Sequence, residues 1–76
     1  MNINDFIQNF AGQFEETDPE VFTPETRFRD IDEWSSMLAL YIMAMVDEEY
    51  EVKLTANEMR HANTVEDLFN IVKSHL

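Results

Sequence analysis

The chain has 76 residues, no cysteine, and sixteen acidic against five basic residues, a formal net charge of −11. One small domain spanning residues 1–76 is expected, with a modest core and no disulfide or thiolate–metal staple to reinforce it. The shortage of clustered Lys and Arg excludes nucleic acid and disfavours an anionic membrane surface, leaving basic protein surfaces as the natural counterpart of this charge.

The first segment begins Met-Asn-Ile-Asn-Asp, with no basic stretch ahead of an apolar core, so no secretory signal is expected and a cytoplasmic location is. Ile3, Phe6, Ile7, Phe10 and Phe14 recur at helical spacing, and Asn2 or Asn4 suits the cap. Pro19 disfavours helix just before it, so the first helix is expected over residues 3–15, with Gly12 inside it.

Residues 17–34 hold both prolines and show no sustained period, which predicts a long connection anchored by Val21, Phe22, Phe28, Ile31 and Trp34. Within it, Thr23-Pro24-Glu25-Thr26 suits a turn or a single helical turn.

The second helix is expected over Ser36 to Tyr50, with Ser35 as its cap. At ~100° per residue, Ala39, Ile42, Met43, Val46 and Tyr50 gather into the expected core stripe. Met37, Leu40, Tyr41, Ala44 and Glu48 gather on nearly the opposite side. The apolar run from Met37 to Val46 is about half the length needed to cross a bilayer, so membrane insertion is not expected.

Glu51 to Leu54 is expected to be extended or irregular. Thr55 to Arg60 suits one short helix, because Thr55 and Glu58 have capping-box spacing. The last helix begins at Thr64-Val65-Glu66-Asp67, with Thr64 as cap and Val65, Leu68, Phe69, Ile71 and Val72 turned inward. Lys73 and His75 suit its negative C-terminal end. The expected fold is all-α: three major helices and one short one, with a long loop between the first and second.

Catalysis finds few parts here. A serine hydrolase needs a serine held against a histidine and an oxyanion hole. The histidines are His61 and His75, and Gly12 is the single glycine, so neither a nucleophile elbow nor a phosphate-cradling loop can be built. Asp30, Asp32 and Glu33 lack the glycine and spacing of a calcium loop, and two separated histidines make no zinc signature. The chain is therefore not expected to be an enzyme or to bind metal.

Ser36 remains as the candidate functional residue. Plain helix initiation also explains Ser35-Ser36. Three features favour more: the serine follows a long loop and opens the most apolar helix; Met37 and Leu40 fall outside the core stripe; and acids cluster before it (Asp30, Asp32, Glu33) and at the helix's far end (Asp47, Glu48, Glu49, Glu51).

With these residues in place, the chain resembles an acyl carrier protein of the phosphopantetheine-attachment family. Ser36-Met37 stands for the family's Ser-Leu, and Asp47-Glu48-Glu49-Tyr50 for its acidic, aromatic helix end. Thr64-Val65-Glu66-Asp67-Leu68 is similar to the start of its last helix, and length, acidity and helix order agree throughout. The resemblance implies an acyl-carrier-like four-helix bundle that carries acyl or aminoacyl groups as thioesters on a 4'-phosphopantetheine arm, taken from coenzyme A and attached to Ser36. It implies as partners a phosphopantetheinyl transferase and acyl-loading and acyl-consuming enzymes with basic docking surfaces, as in fatty-acid or polyketide biosynthesis. These would meet a monomer over Met37, Leu38, Leu40, Tyr41, Ala44, Asp47 and Glu48. The chain departs from the family pattern at Ser35, where Asp is usual, and at Leu38 and Tyr41, often polar or acidic. These departures point to a dedicated carrier for a specialised pathway. The alternative expectation is an unmodified helical interaction module that uses the apolar patch of Met37, Leu38, Leu40, Tyr41 and Met45.

Overall fold

Phe6 and Phe10 stand one turn apart, and both are fully buried, which commits the N-terminal segment to helix against the rest of the chain. The computed structural model describes residues 1–76 as an all-α fold with four helices. These are α1 (Ile3–Ala11), α2 (Ser36–Tyr50), α3 (Ala56–His61) and α4 (Val65–Ser74). Two single turns of 3₁₀ helix, Pro19–Val21 and Phe28–Asp30, lie in the connection between α1 and α2.

α1 is shorter than the expected span of residues 3–15. Its cap is Asn2, whose side chain accepts from the Asn4 amide, and it ends at Ala11 with Gly12 as the C-terminal cap and outside the helix. The Gln13 and Phe14 amides bond three residues back, to Phe10 and Ala11, which tightens the last turn. The Glu15 and Glu16 amides then bond the Glu33 carboxylate at 2.8 and 3.1 Å, so a tertiary acceptor replaces the next helical carbonyls. Phe14 is still buried, but from the turn.

The long connection is held by its own side chains. Phe22 and Phe28 are buried, Ile31 and Trp34 are half-buried, and Val21 is exposed, so Val21 is not the anchor expected of it. Thr23 to Thr26 forms a turn closed by the Thr26 amide on the Thr23 carbonyl. The carbonyls of Thr26 and Pro24 accept from the Val65 and Glu66 amides at 3.1 and 2.9 Å. They thereby satisfy amides at the start of α4 that the helix itself leaves free.

All six phenylalanines are buried. Phe10 lies within 5.8 Å of Phe22 and 5.4 Å of Phe28, and Phe6 is 5.6 Å from Phe69 on α4. Full burial of one such ring contributes about 2 kcal/mol, so this aromatic column is the main fastener of the bundle. On α4, Val65, Leu68, Phe69 and Val72 are buried, and Ile71 only half so. Both expected capping pairs form at the starts of the last two helices: Thr55 with Glu58, and Thr64 with Asp67.

Candidate functional site

α2 starts where the serines place it. Ser35 is the cap, its hydroxyl accepting from the Leu38 amide at 3.3 Å, and Ser36 is the first helical residue, with an exposed side chain. Ser36 lies at the positive end of the helix. Asp5, Glu58, Glu66 and Asp67 place acids in the first turns of α1, α3 and α4, whereas the first turn of α2 has none.

The core face of α2 differs from the expected stripe. Leu38, Ile42, Met45 and Val46 are buried, while Ala39, Met43 and Tyr50 are half-buried at the margin. At ~100° per residue this turns the buried face by about 70° from the expected one. Leu38 is thus a core residue and not a partner contact, and Met45 leaves the apolar patch for the same reason. The sequence period misleads because α2 is apolar on three sides, so no single stripe dominates.

The other two sides form the candidate site. One carries Met37, Leu40, Tyr41 and Ala44, all exposed, with Met37 56%, Leu40 61% and Tyr41 49% accessible. Tyr41, Ala44 and Glu48 line a shallow notch of about 190 Å³ with Asn9 of α1 and Gln13 of the turn after it. The Tyr50 hydroxyl accepts from the side-chain Nδ2 of Asn9 at 3.0 Å, tying α1 to α2. Asp47 and Glu48 are exposed, and Asp47 pairs with Lys53 at 3.2 Å. With Glu49 they form an acidic last turn containing no base, at the negative end of the dipole. Each such charge costs about 0.3–1 kcal/mol at an exposed site.

The third side faces α3. Ser36, Ala39, Leu40 and Met43 of α2, Ala56, Met59 and Arg60 of α3, and Arg29 and Trp34 of the connection line a groove of about 380 Å³. Most of its wall is apolar, and Ser36 borders it directly. Trp34 packs on Phe28 at 4.9 Å, which fixes the wall next to the serine. Arg29 donates to the carbonyls of Met59 and Ala62 at the C-terminal end of α3, and thereby positions that helix. Neither Arg29, Arg60, Met59 nor the groove itself was evident from the sequence. Arg29 finds its carbonyls 30 and 33 residues away, and no local pattern encodes such a contact.

Glu33 ties the end of the long connection to the residues that follow α1. Its carboxylate accepts from the Thr17 hydroxyl at 2.7 Å and from the Glu15 and Glu16 amides. These bonds, the Thr17 hydroxyl foremost, hold its carboxyl below the ordinary glutamate value. A wider hollow of about 510 Å³ opens among Glu16, Asp30, Asp32, Glu33 and their neighbours. No group of three or more His, Cys, Asp or Glu side chains in the structure is arranged to hold a metal ion. His61 is exposed, and His75 pairs with Glu58 at 2.6 Å, so the two histidines serve separate places.

No helix is long and apolar enough to cross a membrane. No family model, curated protein or solved structure matches the chain.

Proposed function

We propose that this protein is an acyl or aminoacyl carrier whose Ser36 bears a 4'-phosphopantetheine arm. In the attachment step the Ser36 Oγ forms a bond to the phosphorus that carries pantetheine in coenzyme A. The bond from that phosphorus to the adenosine bisphosphate breaks, and the hydroxyl proton passes to the transferase or to solvent. The arm's thiol then holds the acyl group as a thioester for partner enzymes. The chain itself supplies a presented hydroxyl and a docking surface, and no catalytic group.

One observation carries this proposal: an exposed serine at the first position of α2 stands beside an exposed apolar strip that ends in acids. The electrostatics support it. An acid-free first turn suits a new phosphodiester, because free amides and the dipole favour an anion there. The acids of the last turn disfavour the helix, yet suit a basic partner surface. Met37, Leu40, Tyr41 and Ala44 would be the apolar contacts, and Asp47 and Glu48 the charged ones. The test is incubation with a phosphopantetheinyl transferase and coenzyme A, followed by intact mass. A gain of one phosphopantetheine, abolished by Ser36→Ala, is the expected result; an unchanged mass with several competent transferases overturns the proposal.

The exposed strip also supports a second reading, an interaction module that is never modified. Recovery of one stable partner in equal amount by wild type and Ser36→Ala, together with an unchanged mass, would establish it.

A further inference from the structure

The notch of about 190 Å³ between α1 and α2 lies away from Ser36 and differs in kind from the groove beside it. Tyr41 and Ala44 give it an apolar surface, and Asn9, Gln13, Glu48 and Glu49 a polar one. Both side-chain amides direct an N–H into the fold: Asn9 Nδ2 donates to the Tyr50 hydroxyl at 3.0 Å, and Gln13 Nε2 to the Asn9 backbone carbonyl at 3.2 Å. Their side-chain oxygens accept from no group of the chain, although both residues are half-buried. The ion pairs of the fold join Arg27 to Asp30, Lys53 to Asp47 and His75 to Glu58, and none of the five bases lines the notch, so Glu48 and Glu49 have no cation either. Acids without a cation are ordinary in a chain of net charge −11. What sets this place apart is the pair of neutral acceptors beside them, whose orientation is fixed by bonds to another helix and to the backbone.

We infer that the notch seats one arginine side chain of a partner protein, and that Asn9 and Gln13 select arginine over lysine. A volume of about 190 Å³ is below the range of roughly 300–1,000 Å³ typical of small-molecule sites, and suits a single long side chain. The stem lies on Tyr41 and Ala44, and the Tyr41 ring offers a face on which a guanidinium stacks. The head meets carboxylates and amide oxygens together. A guanidinium has five donors in one plane, so it bonds a carboxylate along one edge and neutral oxygens along another. An ammonium is a compact, strongly hydrated charge that gains from Glu48 and Glu49 but little from the amides. The notch thus draws α1 into an interface otherwise made by α2. The inference does not rest on attachment at Ser36; it holds for a carrier and for an unmodified interaction module alike.

The test titrates the unmodified, nitrogen-15-labelled protein with three capped pentapeptides at constant ionic strength. Each has four alanines around a central arginine, lysine or glutamine. The arginine peptide should give saturable shifts at the Asn9 and Gln13 side-chain amides and at the Ala44 and Glu48 backbone amides. Its affinity should be several-fold higher than that of the lysine peptide, and the glutamine peptide should give no shift. Gln13→Met keeps the length of the side chain but removes its oxygen, and should bring the arginine and lysine affinities together. Ala44→Phe fills the notch from an exposed position of α2 and should abolish the shifts; thermal melts confirm that both variants are folded. Arginine bound no better than lysine by the wild type, shifts spread evenly over all the acidic residues, or a preference that survives either variant would overturn the assignment. An unchanged mass in the transferase assay removes the carrier function and leaves this result standing.

Discussion

Replacing each of the two adjacent serines by alanine separates capping from attachment. Ser35→Ala removes the acceptor of the Leu38 amide. That bond is long, at 3.3 Å, so its loss belongs at the lower end of measured cap losses, about 0.5–1 kcal/mol. In a domain of this size the melting temperature should fall by roughly 2–8 °C. Ser36→Ala changes an exposed side chain with no hydrogen bond to the rest of the chain, and alanine is the better helix former, so stability should stay within about 0.5 kcal/mol of wild type. Modification should show the reverse pattern. Ser35→Ala, kept well below its melting point, gains the full phosphopantetheine mass, and Ser36→Ala gains none. Thermal melts by circular dichroism and intact mass after transferase treatment read the two effects on the same samples. A mass gain on Ser36→Ala, or its loss on folded Ser35→Ala, would refute the assignment. Equal destabilisation by both variants would refute the placement of the cap.

Leu38→Ala should cost about 2–5 kcal/mol, because it empties a core position, whereas Leu40→Ala should change stability by less than about 0.5 kcal/mol; urea melts of the two compare buried and exposed faces directly. Glu51→Gly should stabilise the fold by about 1 kcal/mol, seen as a higher melting temperature, because Glu51 caps α2 at φ 57°, where a side chain is strained, and because an acid there opposes the dipole. Glu33→Gln should lower the melting temperature at neutral pH. The native-state depression of the Glu33 carboxyl means its contribution is present above the unfolded glutamate value and is lost as pH falls through the lower folded value, so a melting series on acidification should show the two proteins converge. Asp47→Lys with Glu48→Lys should slow transfer by the transferase while leaving the melting temperature equal to or above that of wild type, since the charges then suit the helix end; transfer at an unchanged rate would show that these acids do not meet the enzyme.

The helix starts were legible because their determinants are local. Thr55 with Glu58, Thr64 with Asp67, and Ser35 before Leu38 each place a side-chain oxygen three residues from the amide it satisfies. The end of α1 was not legible, because the Glu15 and Glu16 amides beyond its last turn find their acceptor in the Glu33 carboxylate, 18 and 17 residues away. The rotation of α2 was hidden for a different reason. Periodicity locates a buried face only when the other faces are polar, and Met37, Leu40, Tyr41 and Ala44 leave none polar through the middle of the helix. The same ambiguity concealed the groove: Ala39 and Met43, assigned to the core stripe, are its half-buried wall. The exposed face was read with fewer errors, since only Leu38 and Met45 had to be withdrawn from it.

The exposed strip and the negative charge belong to one arrangement. Leu40 and Tyr41 contribute little to the core, and an apolar strip on a small domain invites association with its own copies. Between two copies each carrying −11, long-range repulsion opposes that encounter, while a basic surface is drawn to the same strip. The acids at the end of α2 are placed where they weaken the helix, so local stability does not explain them; under the proposed carrier function, discrimination between self and partner would. The three apolar sides of α2 thus differ in surroundings: Leu38 and Ile42 lie in the core, Met37 and Tyr41 are exposed, and Leu40 and Met43 border the groove beside Ser36.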